Sequence, residues 1–267
     1  SKRTSYMTWH VKLGHVNPTK VMKTLRDAGI GFDFSKENTT CQICQRIAMR
    51  RLPYSGSATR PTKILQKICE DTFELEVPTL EGHKYCSYLV DVATYKKWLI
   101  FLKSKADAPK EIIKLLKTLE VQHKSVVETV QTDGGELNCQ EFREFCNNHE
   151  PNVIDFRMSP PHTQALNGFV ERHIGIDKDR AGCMLAQAIL PGRFIKYALE
   201  YAVYVGNLVH NPLLNKTPME ALTGRKPDQK HYKALHLFGC LVFSFIPKGL
   251  RGKRLGAYQK AEPGIFL

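Results

Sequence analysis

Three acidic residues stand where metal-assisted chemistry at phosphorus would need them. Asp133 follows an apolar, β-branched run at 125–130 that reads as a strand, and Gly134-Gly135 closes it. Glu171 lies in the first turns of a helical pattern extending to about residue 190. Asp71 sits upstream, within a strand-like stretch at 67–77. Carboxylates carried by separate elements can converge on one point, and three of them suit a pair of hard divalent cations, which take oxygen ligands. Such a pair clamps the attacking and leaving oxygens of an in-line displacement. Asp91, at the end of the next strand, is a rival first carboxylate; the position of Asp71 within its strand favours Asp71.

A second ligand set has different chemistry. His10 and His15 are separated by four residues, and Cys41 and Cys44 by two, with 25 residues between the pairs. Tetrahedral Zn²⁺ takes four N and S ligands in two such pairs. A segment of about 50 residues has little core of its own, so a metal is expected to fold it. The alternative is two unrelated histidines and two buried thiols. The other cysteines, Cys69, Cys86, Cys139, Cys146, Cys183 and Cys240, are scattered and read as small buried hydrophobes. Eight cysteines without a secretion signal point to thiols in a reducing compartment.

The charge distribution points to a polyanionic partner. The net charge is +13, with +9 in residues 1–63, +7 in 225–267 and −3 between them. Basic flanks of this kind suit a nucleic acid, although surface lysines for solubility are the plainer alternative. Arg50 and Arg51 lead into a Pro/Gly/Ser-rich linker and are candidate phosphate contacts. Lys178, seven residues after Glu171, shares its helix face and is a third candidate. No run of 18 apolar residues exists, so no membrane span is expected. The ends, Ser1 and an apolar 264–267 run, read as cut from a longer polypeptide.

The elements that must position these residues follow from pattern. Strands are expected at 67–77, 85–92 and 97–102, joined by short turns as an antiparallel meander. A helix at 108–123, the strand at 125–130, a helix near 140–148 and a strand at 152–156 come next. The long helix bearing Glu171 and a second helix at 194–211 complete an α/β domain. Tyr197, Tyr201 and Tyr204 on that second helix read as core rather than as a base-stacking platform. Alternating strands and turns follow at 235–267.

Three motifs together resemble a known family. They are Thr132-Asp133-Gly134-Gly135-Glu136-Leu137, Ser159-Pro160-Pro161-His162-Thr163-Gln164, and Asn167-Gly168-Phe169-Val170-Glu171-Arg172. They resemble the catalytic core of copia-type retrotransposon integrases. Trp9-His10 with Leu13-Gly14-His15 is similar to the zinc module that precedes that core. The resemblance implies an RNase H-like fold with a catalytic triad of Asp71, Asp133 and Glu171 holding two Mg²⁺ or Mn²⁺. It also implies a structural Zn²⁺ on His10, His15, Cys41 and Cys44, and a C-terminal small β-barrel, here partial. The implied division is a zinc module at 1–52, a basic linker at 53–64, the catalytic core at 65–212, a connector at 213–234 and the partial barrel at 235–267. The 37 residues between Asp133 and Glu171 are two more than is usual, and the turn at 147–151 is the natural place for them. Leu166, His173 and Gly182 stand where the family often has Gln, Asn and Arg. The implied activity is 3′-end processing and strand transfer into double-stranded DNA, in a homo-oligomer, in the nucleus and in a cytoplasmic virus-like particle. The alternative is a catalytically inactive, nucleic-acid-binding relic.

Overall fold

Two short helices open the chain, and their caps explain where they start. In this computed structural model, α1 (Tyr6–Lys12) begins at Ser5, whose side chain accepts from the Thr8 N–H, and α2 (Pro18–Asp27) begins at Asn17, which accepts from the Lys20 N–H. Pro18 takes the first helical position, where its missing N–H costs nothing. Strands β1 (Thr4–Ser5) and β2 (Phe32–Asp33) pair in parallel, and α3 (Gln42–Ile47) follows. The structure describes residues 4–33, 41–47, 60–133, 135–158, 164–248 and 260–267. Arg50 and Arg51, most of the linker at 53–64, Gly134, the motif at 159–163 and the basic stretch at 251–259 lie outside the described residues.

A five-stranded sheet forms the centre. β3 (Lys67–Glu74), β4 (Tyr85–Asp91) and β5 (Lys97–Leu102) make an antiparallel meander. α4 (Ala108–His123) then crosses over to β6 (Thr129–Thr132), which pairs in parallel with β3. α5 (Gln140–Asn147) leads to β7 (Asp155–Met158), parallel to β6. The strand order is β5-β4-β3-β6-β7. α4 buries Ile112, Leu116 and Leu119, a three-to-four spacing that keeps one face on the sheet. With Phe142 and Cys146 of α5 they cover one side of it. α6 (Gln164–Ala188) and α7 (Ile195–Leu208) cover the other side.

Strand β6 starts later than the apolar run at 125–130 suggests. α4 ends with Lys124 in the left-handed region, at φ 49°. Ser125 then donates to the Ile64 carbonyl and the Val127 N–H to Glu120. The side chain of Val127 plugs the core as part of this closure, before pairing begins. β7 is likewise displaced: the Ile154 N–H bonds back to Cys146 of α5, and its buried side chain is core rather than strand.

Among the described residues, α1 and α2 bury no separate core. Trp9, Leu13, Val21 and Leu25 share one cluster with Ala181 and Met184 of α6 and Ala198, Val205 and Leu208 of α7. Apolar burial of this kind is worth about 1.5–3 kcal/mol for a large side chain, so packing against α6 and α7 holds these helices. Tyr201 is buried in the same cluster, and its hydroxyl donates to the His236 carbonyl, whereas Tyr197 is only partly buried there and Tyr204 is exposed, so the core role expected of all three holds for Tyr201. After α7 come α8 (Pro218–Thr223) and α9 (Gln229–Lys233). Of the expected small barrel, the described residues show one antiparallel pair, β8 (Leu241–Phe245) with β9 (Ala261–Ile265).

Candidate metal centres

Helix α1 ends in a way that brings its two histidines together. Gly14 adopts φ +72°, its N–H donates to the Val11 carbonyl, and the His15 N–H donates to the His10 carbonyl. This is the paired hydrogen bonding of a Schellman motif, which needs a left-handed residue after the cap. The chain therefore doubles back so that the rings of His10 and His15 lie 4.9 Å apart. A Cβ at Gly14 would also meet Met184 of α6 at 2.9 Å.

The four nitrogen and sulfur ligands converge. His10 Nε2 and His15 Nδ1 are 3.2 Å apart; Cys44 Sγ is 3.4 Å from each, and Cys41 Sγ is 3.5 Å from His15 Nδ1. A tetrahedron built on usual Zn–N and Zn–S bonds has edges of roughly 3.3 Å between nitrogens and 3.6 Å from nitrogen to sulfur. The outer ring nitrogens are already committed. His10 Nδ1 lies 2.8 Å from the Val16 carbonyl, and His15 Nε2 lies 3.1 Å from Gln187 Oε1 on α6. Donation there leaves the lone pairs of Nε2 and Nδ1 pointed inward, as metal-ligating histidines require. Burial, then the neighbouring His10, lowers His15 to about 4. Burial, then Cys41, raises Cys44 to about 12. Sequence pattern missed a fifth sulfur: Cys183 of α6 is buried beside Cys44.

The acidic residues meet on the other part of α6. Side chains alternate along a strand, so Asp71 shares a face of β3 with Cys69 and Phe73, toward α6. The pairing of Glu70 with Thr132 puts Asp133, one residue past the end of β6, beside Asp71. Val170 and Ile174 pack α6 onto this face against Cys69, Tyr88 and Val90, leaving Glu171 at the exposed edge. The Asp71 carboxyl is pushed up to about 7, first by burial, then by Asp133, with which it shares a hydrogen bond, and then by the charges of Glu171 and Glu136. Like-charged carboxylates crowded without a cation hold protons in this way. That crowding fits a dication pair. The cluster is looser than the zinc-type one: among the described residues, only His10, His15, Cys41 and Cys44 gather ligand atoms within 4.8 Å of one another.

Neighbouring residues have other work. Asp91 is fully buried and accepts from the Thr94 hydroxyl at 2.6 Å and from the N–H groups of Ala93 and Thr94, so it closes the turn into β5. Glu136 is ion-paired with Lys105 at 2.6 Å. Glu70 points to the opposite face, accepts from Thr72 and Thr132, and is raised by burial to about 8. Lys178 sets its ammonium 3.8 Å from the centre of the Phe73 ring, over the strand that carries Asp71. His173 is half-buried beside Phe169 and Tyr95, with Nδ1 on the Phe169 carbonyl. Ile47 of α3 packs beside Gly182, at ordinary contact distance from where a Cβ would stand.

The pattern also missed the anchor beneath α6. Asp177 is completely buried, held by Lys97 at 2.7 Å, Tyr88 at 2.6 Å and Arg180 at 2.9 Å. Burial alone would raise its carboxyl, but Lys97 and Arg180 outweigh that and leave it below the usual range. The 170–174–177–181 stripe of α6 is buried at every position. An acid at helical spacing within an apolar stripe is the one signal that could have flagged it.

No family model matches the chain. It is 26% identical over 248 residues to a Retrovirus-related Pol polyprotein from transposon RE1 of Arabidopsis thaliana, covering 92% of this chain and 16% of that protein. It is 27% identical over 262 residues to a Retrovirus-related Pol polyprotein from transposon TNT 1-94 of Nicotiana tabacum, covering 97% and 19%. The chain thus spans less than a fifth of the length of these relatives. Among solved structures it matches a chain of the simian T-cell lymphotropic virus intasome in complex with PP2A regulatory subunit B56 gamma. The TM-score is 0.52 and the identity 17%, over 95% of this chain and 81% of that one. The curated homologues are Pol polyproteins of copia-type retrotransposons. The fold is that of the retroviral integrase core, preceded by the His-His-Cys-Cys group.

Proposed function

We propose that this chain is the integrase segment of a copia-type retrotransposon Pol polyprotein and that it carries out 3′-end processing and strand transfer of element DNA into target DNA. The observation that carries this reading is the convergence of Asp71 with Asp133 and Glu171, borne by two other elements, on one face of the sheet. Asp71, Asp133 and Glu171 would hold two Mg²⁺ or Mn²⁺, which would supply activation of the attacking water or 3′-hydroxyl and charge stabilisation of the leaving 3′-oxygen. Asp71 feels both other acids, so it would have to give up its proton before it could help hold an ion. Glu171 is aimed by α6, which the Asp177 network fastens to the sheet. His10, His15, Cys41 and Cys44 hold a structural Zn²⁺ whose folding role is shared with the apolar cluster.

The partner is double-stranded DNA, gripped through phosphates by the basic flanks and Lys178, with weak sequence preference. A homo-oligomer acting in the nucleus, with earlier residence in a virus-like particle, completes the proposal. No helix among the described residues is long and apolar enough to cross a membrane. The relic reading draws on the family departures; the contacts of His173 with Phe169 and Tyr95 weigh against it. An oligonucleotide assay with Mg²⁺ or Mn²⁺ separates the possibilities. Joined products support integrase, cut products alone indicate a nuclease, and DNA binding without either indicates a relic.

A further inference from the structure

A cavity of about 310 Å³ lies between the N-terminal helices and α6, lined by Asn17, Lys20, Arg172, Asp179 and Arg180, with His15 at its zinc-ligand side. Three cations from two separate elements enter it against one lining carboxylate. Lys20 comes from the first turn of α2, and Arg172 and Arg180 from α6, two turns apart. Arg180 spends one donor on Asp177, which leaves others of its five. Among the described residues, neither Lys20 nor Arg172 has a carboxylate within ion-pairing distance, whereas Asp179 has a partner of its own. The positive dipole end of α2 lies on the same side, since its cap Asn17 and Lys20 of its first turn both line the cavity. Lys20 is held below its usual range by burial, then by Arg180 and Arg172, with Asp177 opposing. The cluster is therefore repulsive as it stands, and an anion would relieve it.

We propose that this cavity is a phosphate subsite, formed jointly by Lys20 of α2 and Arg172 and Arg180 of α6, that takes a phosphodiester of the bound nucleic acid. It rests on the DNA-binding reading above. Arg172 directly follows Glu171, so the gripped phosphate belongs to the strand running past the acidic cluster. Because Lys20 belongs to the zinc-bearing segment, the subsite exists only while that segment is docked on α6. Docking thereby links zinc to DNA grip, separately from any role in folding.

The test is fluorescence anisotropy of the zinc-loaded full chain with a labelled double-stranded oligonucleotide across a salt series. Zinc content and circular dichroism verify that each variant is folded. Lys20→Gln and Arg172→Gln should each weaken binding about eightfold at 0.1 M salt. Each should also flatten the slope of log K against log salt by about 0.9 for every phosphate that the variant no longer neutralises. Arg172→Lys should restore most of the slope, since a point charge suffices. Lys114→Gln, an equal loss of charge from the exposed face of α4 across the sheet, should change neither as much. Wild-type binding with all variants matching Lys114→Gln overturns the subsite and leaves the integrase reading standing. A wild-type chain that binds no DNA overturns both. Loss of saturable inorganic phosphate binding in the two variants, with DNA affinity and slope intact, assigns the cavity to a free anion and overturns the nucleic-acid proposal.

Discussion

The two ligand clusters are arranged along the same helix and differ in how they are held. Near the end of α6, Gln187 orients His15 and α3 packs beside Gly182, and two imidazoles and two thiols stand at contact distance. Near its start, Glu171 faces Asp71 and Asp133, and the result is a raised carboxyl. Neutral imidazoles and protonated thiols can be gathered by packing at little electrostatic cost. Carboxylates cannot, because each added charge disfavours the next. A nitrogen and sulfur site can thus be assembled before its ion arrives, whereas a carboxylate site is completed by its ions. A single anchor, Asp177 with Lys97, Tyr88 and Arg180, serves both by fastening the middle of α6.

Removing that common anchor should have the largest effect. Asp177→Ala leaves Lys97 buried without its counter-charge and should cost about 3–5 kcal/mol, read as a fall in the denaturant midpoint. Both clusters should loosen together; loosening confined to one would show that α6 is not their shared support. Next come the acids. Asp71→Asn, Asp133→Asn and Glu171→Gln should each lower processing and strand transfer by about 10²–10³ or more, equivalent to about 3–4 kcal/mol at the transition state. DNA affinity should persist. Glu136→Gln, which breaks the Lys105 pair and removes the smallest of the named charges on Asp71, should cost much less. An inactive Asp91→Asn that is fully folded, beside an active Asp71→Asn, would reassign the first carboxylate.

Chelation sharpens the contrast from the zinc side. α3 has no buried residue among those described, whereas α1 and α2 contribute to the shared core. A chelator should therefore speed amide exchange in α3 strongly and in α1 and α2 only modestly, leaving the sheet protected. Uniform unfolding of residues 4–47 would show that the metal, not the apolar cluster, holds the whole segment.

The smallest expected signal is a pH slope. Glu70 and Asp71 both have folded pKa values raised above their unfolded ones, to about 8 and about 7. The folded chain then binds more protons than the unfolded chain, so stability should fall as pH rises from about 4 to about 8. Mg²⁺ should remove the Asp71 share by favouring its charged form. Glu70→Gln should remove the other share, because Glu70 lies on the far face of β3. Thermal melts with and without Mg²⁺ at several pH values check this; equal slopes in both would place Asp71 outside the ion site.

Local pattern alone determined much of this protein. β5 at 97–102 and α4 at 108–123 follow from alternation and helical spacing, because their partners merely cover faces already apolar. The His-x4-His and Cys-x2-Cys spacings identify the zinc-type ligands, because a helix cap and a helix start bring each pair together without distant help. What only the tertiary structure decided involves long-range closure. Val127 and Ile154 became core plugs rather than strand residues, since the turns out of α4 and α5 used their backbone groups first. The core that α1 and α2 share with α6 and α7 also belongs here, because a small helical pair buries more apolar surface against a neighbour than alone. The Asp177 anchor and the Lys20–Arg172–Arg180 cavity join residues far apart in the chain. Their meaning lies in partners that spacing along a sequence cannot specify.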